Sequence, residues 1–362
     1  MSEMINISKK TDILSLMPKE LEVFVTEELG EPKYRAKQIF SFLCKGVAFS
    51  EMSSLSKGLR QKIEEKCEDR MPIIEKKLVS AIDGTVKYLF RLIDGNCIET
   101  VVMKYNHGNT VCISSQVGCR MGCRFCASTI GGKVRDLEPS ELIGQVIMAQ
   151  KDMGERISNI VMMGIGEPLD NFDNVVKFLA LVGCESGLNI GYRHISLSTC
   201  GIVDKIYKLA ELDLPITLSI SLHAPDDETR SQIMPINNKW GVKELLCACR
   251  DYYAKTKRRL SFEYTLISGK NDSQKNAENL ASVLNGELRS RGDTMPIHVN
   301  LIPVNEVKES GFVRSGDAQI KAFAAHLEKR GIRATIRRKL GPDINASCGQ
   351  LRRESVENNT ER

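Results

Sequence analysis

The 362-residue sequence has no apolar run near the roughly 18 residues that suggest a membrane span. Its opening, Met1-Ser2-Glu3-Met4-Ile5-Asn6, lacks the basic stretch and apolar segment of a secretory signal. A cytoplasmic protein is expected. Long repeats and low-complexity tracts are absent too, which argues against a solenoid or a largely disordered chain. Charge of one sign is not in large excess: the net value of +5 says little about partners. The basic residues are nevertheless grouped. Lys255, Lys257, Arg258 and Arg259 form one set; Lys329, Arg330, Arg333, Arg337, Arg338 and Lys339 form another, with Arg352 and Arg353 beyond. Such groups suit phosphate contacts or simply a solvated surface. A hydrophobic content of 42% fits a globular protein of one large domain plus a small one.

What the sequence does hold is cysteine, 12 residues in all. In a reducing compartment, metal binding or catalysis explains them better than disulfides. Three stand together in Gly118-Cys119-Arg120-Met121-Gly122-Cys123-Arg124-Phe125-Cys126, a C-x3-C-x2-C spacing. Soft thiolates on one tight loop suit three irons of a 4Fe–4S cluster. The next cysteine is Cys184, far along the chain, so the fourth iron would stay open for chemistry. A structural zinc site is the next alternative; it normally shows two separated ligand pairs, whereas this loop has one triplet and no nearby histidine.

Along the chain, residues 1–72 read as small helices: Leu21, Phe24, Val25 and Leu29, then Ala36, Ile39, Phe40 and Leu43, then Leu59 and Ile63 recur at helical spacing. Residues 73–104 change to strand-rich runs divided by the turn signals Asp83-Gly84 and Asp94-Gly95, an expected three-stranded antiparallel extension. Alternation puts Ile98 and Glu99 on opposite faces, so Glu99 is either solvent-facing or aimed into a site. From 105 to 340, strand-like runs at 111–115, 157–163, 194–198, 216–222, 261–267, 297–302 and 332–337 alternate with amphipathic helices. The expected class is α/β, a partial (βα)6 barrel with right-handed crossovers and an open side. The segment 341–362 carries Cys348 among small residues and then a polar tail.

In such barrels function gathers at the carboxyl ends of strands. There the sequence sets Gly166-Glu167-Pro168, then Ser198, then Ser221-Leu222-His223, then Asn300. Glu167 suits a ligand ammonium, and glycine suits close backbone approach. Cys348 is a candidate nucleophile or a small buried hydrophobe; Cys112 by itself reads as a core strand residue.

These motifs as a set resemble the RlmN/Cfr family of radical S-adenosylmethionine methyltransferases, over nearly the whole chain. The resemblance rests on the cysteine triplet, Ser115-Gln116-Val117-Gly118, Gly166-Glu167-Pro168, Ser221-Leu222-His223 and Cys348-Gly349-Gln350-Leu351. Gly166-Glu167-Pro168 and Leu301-Ile302-Pro303-Val304-Asn305 look like the carbon-2 branch. Asn345 and Ser347 depart from the usual Asp and Ala. The resemblance implies methylation of carbon 2 of adenine-2503 in 23S ribosomal RNA (rRNA) and of adenine-37 in some transfer RNA (tRNA). It implies a 4Fe–4S cluster on Cys119, Cys123 and Cys126. It implies S-adenosylmethionine used twice, as methyl donor and as source of a deoxyadenosyl radical, contacted by Gly166, Glu167, Ser198, Ser221, Leu222, His223 and Asn300. It further implies Cys348 as methyl carrier, a protein–RNA adduct resolved by Cys112 through a disulfide with Cys348, and Glu99 as proton acceptor. The N-terminal helices would bind RNA, a reductant such as flavodoxin or ferredoxin would supply electrons, and the chain would act as a monomer.

Overall fold

The computed structural model describes residues 10–289, 295–305 and 311–346. Three short helices come first: α1 (Pro18–Glu27), α2 (Tyr34–Leu43) and α3 (Lys57–Lys66). Each buries one apolar stripe, Leu21 and Val25 on α1, Ile39 and Leu43 on α2, Leu59 and Ile63 on α3. Pro18 opens α1, where its missing N–H costs nothing, and Ser56 caps α3 by accepting the Leu59 N–H at 3.2 Å. These helices share one continuous apolar core with the rest of the chain. Ser140 ties the two parts: its N–H donates to Ser15 Oγ at 2.9 Å and its hydroxyl to Asp12 at 2.7 Å.

The main sheet has ten strands, and they lie side by side in chain order. An antiparallel meander runs through β1 (Ile73–Val79), β2 (Val86–Arg91), β3 (Cys97–Tyr105) and β4 (Gly108–Cys112). From β4 onward the pairing is parallel: β5 (Ile157–Met162), β6 (Ile195–Thr199), β7 (Thr217–Ser221), β8 (Leu260–Leu266), β9 (His298–Pro303) and β10 (Arg333–Ile336). Each parallel step needs a crossover. The crossovers are α4 (Pro139–Met153), α5 (Phe172–Gly183), α6 (Val203–Glu211), α7 (Asp227–Ile233) with α8 (Val242–Thr256), α9 (Gln274–Arg289) and α10 (Asp317–Lys329). Six strand–helix units result, and among the described residues the sheet keeps two free edges, β1 and β10.

One strand differs from its expected position. The run at 111–115 forms a strand only from Gly108 to Cys112. Gly108-Asn109-Thr110 has no apolar signal, but a two-residue turn after Tyr105 supplies β3 as a partner, and the ladder starts at Tyr105 opposite Gly108. Beyond it, Gln116–Gly118 leaves the sheet and pairs with Lys133–Asp136 in a separate hairpin.

After β10 the chain is clasped onto the turn between β1 and β2. Asp343 accepts from Ser80 Oγ at 2.7 Å and from the Ala81 N–H at 2.9 Å, while Asp83 accepts from the Gly341 N–H at 2.9 Å. The Gly341 amide is the main influence pulling the Asp83 carboxyl down to about 2, and the Ser80 hydroxyl leads in holding Asp343 below the ordinary carboxylate range. Folded values below the unfolded value of about 3.9 mean the clasp contributes fully above that pH and is lost as pH falls toward 2. At neutral pH, Asp83→Ala should speed hydrogen exchange at the Gly341 amide several-fold, and Asp343→Ala should do so at Ala81. Unchanged exchange in both variants would mean that the clasp does not form in solution.

Candidate active site

The cysteine loop hangs between the two strands of the small hairpin. Gly118, at a φ of +78°, makes the entry: a Cβ there would lie 1.9 Å from the Gly132 carbonyl, so only glycine fits. The loop is then tied to itself. Cys119 N–H donates to Gly132 O at 3.0 Å, and the Thr129 hydroxyl reaches the carbonyls of Cys123 and Cys126 at 3.1 and 2.9 Å. Cys119, Cys123 and Cys126 all line one partly open cavity of about 200 Å³. Among the described residues no three potential ligands converge on one point as a single ion requires. A cluster asks for something else, three thiolates spread over three irons, and this loop with its three thiols facing one cavity fits that donor set. Burial pushes the bare Cys119 thiol up to about 12, so ligation must release protons.

The other walls come from strand ends. Gly166, Glu167, Ser198, Ser221 and His223 line the cavity with the cysteines. That volume is below the roughly 300 Å³ of a typical small-molecule pocket, so a nucleoside-sized ligand must extend through the mouth. The reason for glycine at 166 differs from the expectation of ligand approach. A Cβ there would lie 2.6 Å from Gln116 Cβ, so the close contact is internal to the chain. Glu167 likewise has internal partners, accepting from Leu169 N–H at 3.0 Å and Cys200 N–H at 2.7 Å; burial outweighs these bonds and raises its pKa.

His223 is fully enclosed, at a φ of +58°, edge-on to Phe125 with ring centroids 4.8 Å apart. Its Nδ1 accepts from Thr265 N–H at 2.9 Å, so the neutral ring carries its proton on Nε2. Burial, then the nearby Arg230, lowers its pKa to about 3. The ring therefore stays neutral at physiological pH.

Two expected residues do not line the cavity directly. Leu222 is fully buried in the core, and its carbonyl accepts from Arg230. Asn300 donates to Glu263 Oε2 at 2.7 Å, and it is Glu263 that faces the cavity, with Arg337 from the end of β10. Sequence reasoning missed Glu263. The available signal was a single acid in the otherwise uncharged strand Leu260–Leu266, on the same face as Ser261 and Thr265. Arg230 was missed as well. Its guanidinium is completely buried and donates to the carbonyls of Cys200 (2.7 Å), Leu222 (3.0 Å) and Ser221 (3.1 Å) and to Asn237 Oδ1 (3.0 Å). It thereby holds the ends of β6 and β7 at a fixed separation.

A second group of reactive side chains adjoins the cavity. Register pairs Lys87 with Val101 and Val101 with Cys112, so the three share a row and a face with Glu99 and Met103. Glu99 is not solvent-facing: it is 3% exposed and sits 3.2 Å from the Nζ of Lys87, itself 1% exposed. Lys87 also donates to the carbonyl of Asn345 at 2.9 Å. Cys112 is buried with Val101 and Met103, and Met163, Leu340 and Ala346 pack against that cluster. Met163 lines the main cavity too, which makes it the wall between the two groups. Cys348, with Ser347, lies outside the described residues. Asn345 has a φ of +45°, a conformation that Asn tolerates well, and it meets Lys87 through its backbone.

Comparison with known proteins agrees with this architecture. Residues 113–281 match the model of the Radical SAM superfamily, and residues 11–68 match that of the Ribosomal RNA large subunit methyltransferase N-terminal domain. A probable dual-specificity RNA methyltransferase RlmN of Clostridium novyi is 53% identical over 96% of this chain and 99% of its own. Another of that name, from Alkaliphilus oremlandii, is 53% identical over 97% of this chain and 100% of its own. The crystal structure of a radical SAM methyltransferase from Sphaerobacter thermophilus superposes with a TM-score of 0.88 at 40% identity, covering 94% of this chain and 98% of that one.

Removing one member of the Lys87–Glu99 pair takes the opposite charge away from a buried one. Lys87→Met should cost about 3–5 kcal/mol, and Lys87→Met/Glu99→Leu should recover much of that loss. Thermal unfolding of the two variants and the parent checks this; a double variant no more stable than the single one would contradict it.

Proposed function

The chain belongs to the RlmN family of radical S-adenosylmethionine RNA methyltransferases, and from that membership we propose that it methylates carbon 2 of adenine in 23S rRNA and, as a second substrate, in tRNA. The observation that carries this reading is the junction at Met163. It joins the cavity bearing three cluster-type cysteines to the face bearing Cys112, Glu99 and the chain that leads to Cys348.

When bound, the 4Fe–4S cluster and two molecules of S-adenosylmethionine supply a methyl group and a radical able to activate it, because carbon 2 of adenine is too electrophilic for ordinary methyl transfer. The chain's own part begins with Cys119, Cys123 and Cys126 as the cluster ligands. Gly166, Glu167, Ser198, Ser221 and His223 bound the S-adenosylmethionine site, Leu222 shapes it from the backbone, and Asn300 orients Glu263 toward it. Cys348 carries the methyl group. In support, Ala346, two residues earlier in the sequence, packs against the buried cluster that contains Cys112. Cys112, as thiolate, then attacks the Cys348 sulfur: an S–S bond forms, the sulfur–carbon bond to the RNA breaks, and its electron pair stays on carbon to take up a proton; an external thiol reductant then supplies the two electrons that return both cysteines to thiols. Glu99, held by Lys87, accepts the proton that carbon 2 gives up, and the odd electron of the adduct would pass back to the cluster. The N-terminal helices hold RNA, largely through phosphates and shape. The adenine must leave its stack, at a cost of a few kcal/mol. The protein works as a cytoplasmic monomer and takes single electrons from a small carrier such as flavodoxin or ferredoxin.

The test is anaerobic turnover of reconstituted enzyme with dithionite, S-adenosylmethionine and unmodified RNA, followed by mass spectrometry of the nucleosides. The expected product is 2-methyladenosine; 8-methyladenosine would overturn the assigned position. Cys348→Ala should keep the cluster absorbance and yield no product. Cys112→Ala should accumulate a covalent protein–RNA species, and clean turnover by it would remove the assigned role.

A further inference from the structure

A second concavity, of about 670 Å³, also borders the cysteine loop. Its walls are Arg120 and Met121 of that loop, Lys205 at the start of α6, and the segment Pro235–Trp240. Met121, between the ligands Cys119 and Cys123, lines both this groove and the site cavity. The loop leans on the groove wall: Arg124 N–H donates to Ile233 O at 2.9 Å, and a Cβ on Gly122 would lie 3.4 Å from Pro235. A molecule seated in the groove is thus one side chain away from the cluster ligands, without entering the cavity.

The rim is basic. Arg120 and Arg124 are the two charged residues between the cysteines, and both are exposed. Lys239 sits 4.0 Å over the Trp240 ring and Lys205 4.9 Å over the Phe172 ring. Two acids oppose them. Asp170 and Arg120 pair with each other, with Lys133 2.9 Å from Asp170 as well, which leaves Asp204 against Lys205, Lys239 and the neighbouring Arg124. The excess is positive.

We propose that this groove is the docking site of the acidic one-electron carrier protein that reduces the cluster. The inference rests on the proposed radical chemistry, which needs electrons delivered one at a time from outside. Electron transfer falls steeply with distance, so the carrier must reach the back of the cysteine loop. RNA must instead present its adenine to the face holding Cys112, across the cavity. Two large partners thereby avoid competing for one entrance. A cluster held by Cys119, Cys123 and Cys126 would take up one electron from the carrier's reduced flavin, with no atom transferred. The basic rim attracts an acidic carrier and repels a basic one.

The test uses the reconstituted full chain and reduced flavodoxin as the probe. The rate at which flavodoxin bleaches the cluster's visible absorbance is followed by stopped flow. Lys205→Glu/Lys239→Glu should slow that rate about tenfold at low salt, the double Lys→Gln variant should fall between, and added salt should slow the parent more than the Glu variant. Turnover driven by dithionite, which needs no docking, should stay at the parental level. Equal bleaching rates in parent and variants would overturn the proposal. So would equal losses with flavodoxin and dithionite, since the groove would then serve RNA or the fold. If the parent bleaches faster than the variant yet dithionite yields no methylated adenosine, the docking site stands and the proposed substrate falls.

Discussion

Strand β4 is hydrogen-bonded antiparallel to β3 on one edge and parallel to β5 on the other, and this double ladder governs where the reactive groups lie. Cys112 ends the strand, opposite Val101 on one side and Val161 on the other. The antiparallel side carries Glu99 and Lys87 to the same face; the parallel side leads through Met163 to the cavity. A slip of one residue in either ladder would turn Cys112 or Glu99 to the opposite face of the sheet. Both faces of β3 are buried, so such a slip would drive Glu99 into the apolar core that holds Ile98 and away from Lys87, which is why the register is well determined.

Around that pivot the molecule keeps several charges out of water. Lys87 with Glu99 form a buried pair. Arg230 is buried on carbonyl acceptors, and Glu263 is buried beside Asn300 and Ser261. Such groups rarely improve stability over apolar side chains of equal size. What they do here is positional. Each has bonds to more than one segment, so each ties together strand ends that hydrophobic packing alone would leave free to shift. Glu167 does the same between the Gly166 turn and the end of β6. The rigidity suits chemistry in which a misplaced radical would attack the protein instead of the RNA.

Much of the fold was legible in the linear sequence because it depends on periodicity. Apolar spacing of Leu21 and Val25, or of Ile39 and Leu43, is enough to declare helices, and strand–helix alternation is enough to declare a parallel sheet. The cysteine triplet was legible for a related reason, since its ligands are close in sequence and one loop sets their geometry. Legibility failed where the partner is distant. Gly108 to Thr110 has no strand signal of its own and becomes a strand only against β3. Leu222 reads as part of a cofactor contact but is drawn into the core, and Asn300 bonds to Glu263 instead of lining the cavity.

By itself, then, the sequence determined the class of fold, the cluster-type loop and the motifs that mark strand ends, because each is encoded within a few consecutive residues. Only the tertiary structure decided that Glu99 faces Lys87, that Arg230 clamps three carbonyls, that Arg337 of a basic run enters the cavity, and that the segment after β10 is clasped beside Cys112. Those pairings join residues up to 263 positions apart, as in Ser80 with Asp343. No local pattern records them, because burial and register choose the partner only after the sheet has formed.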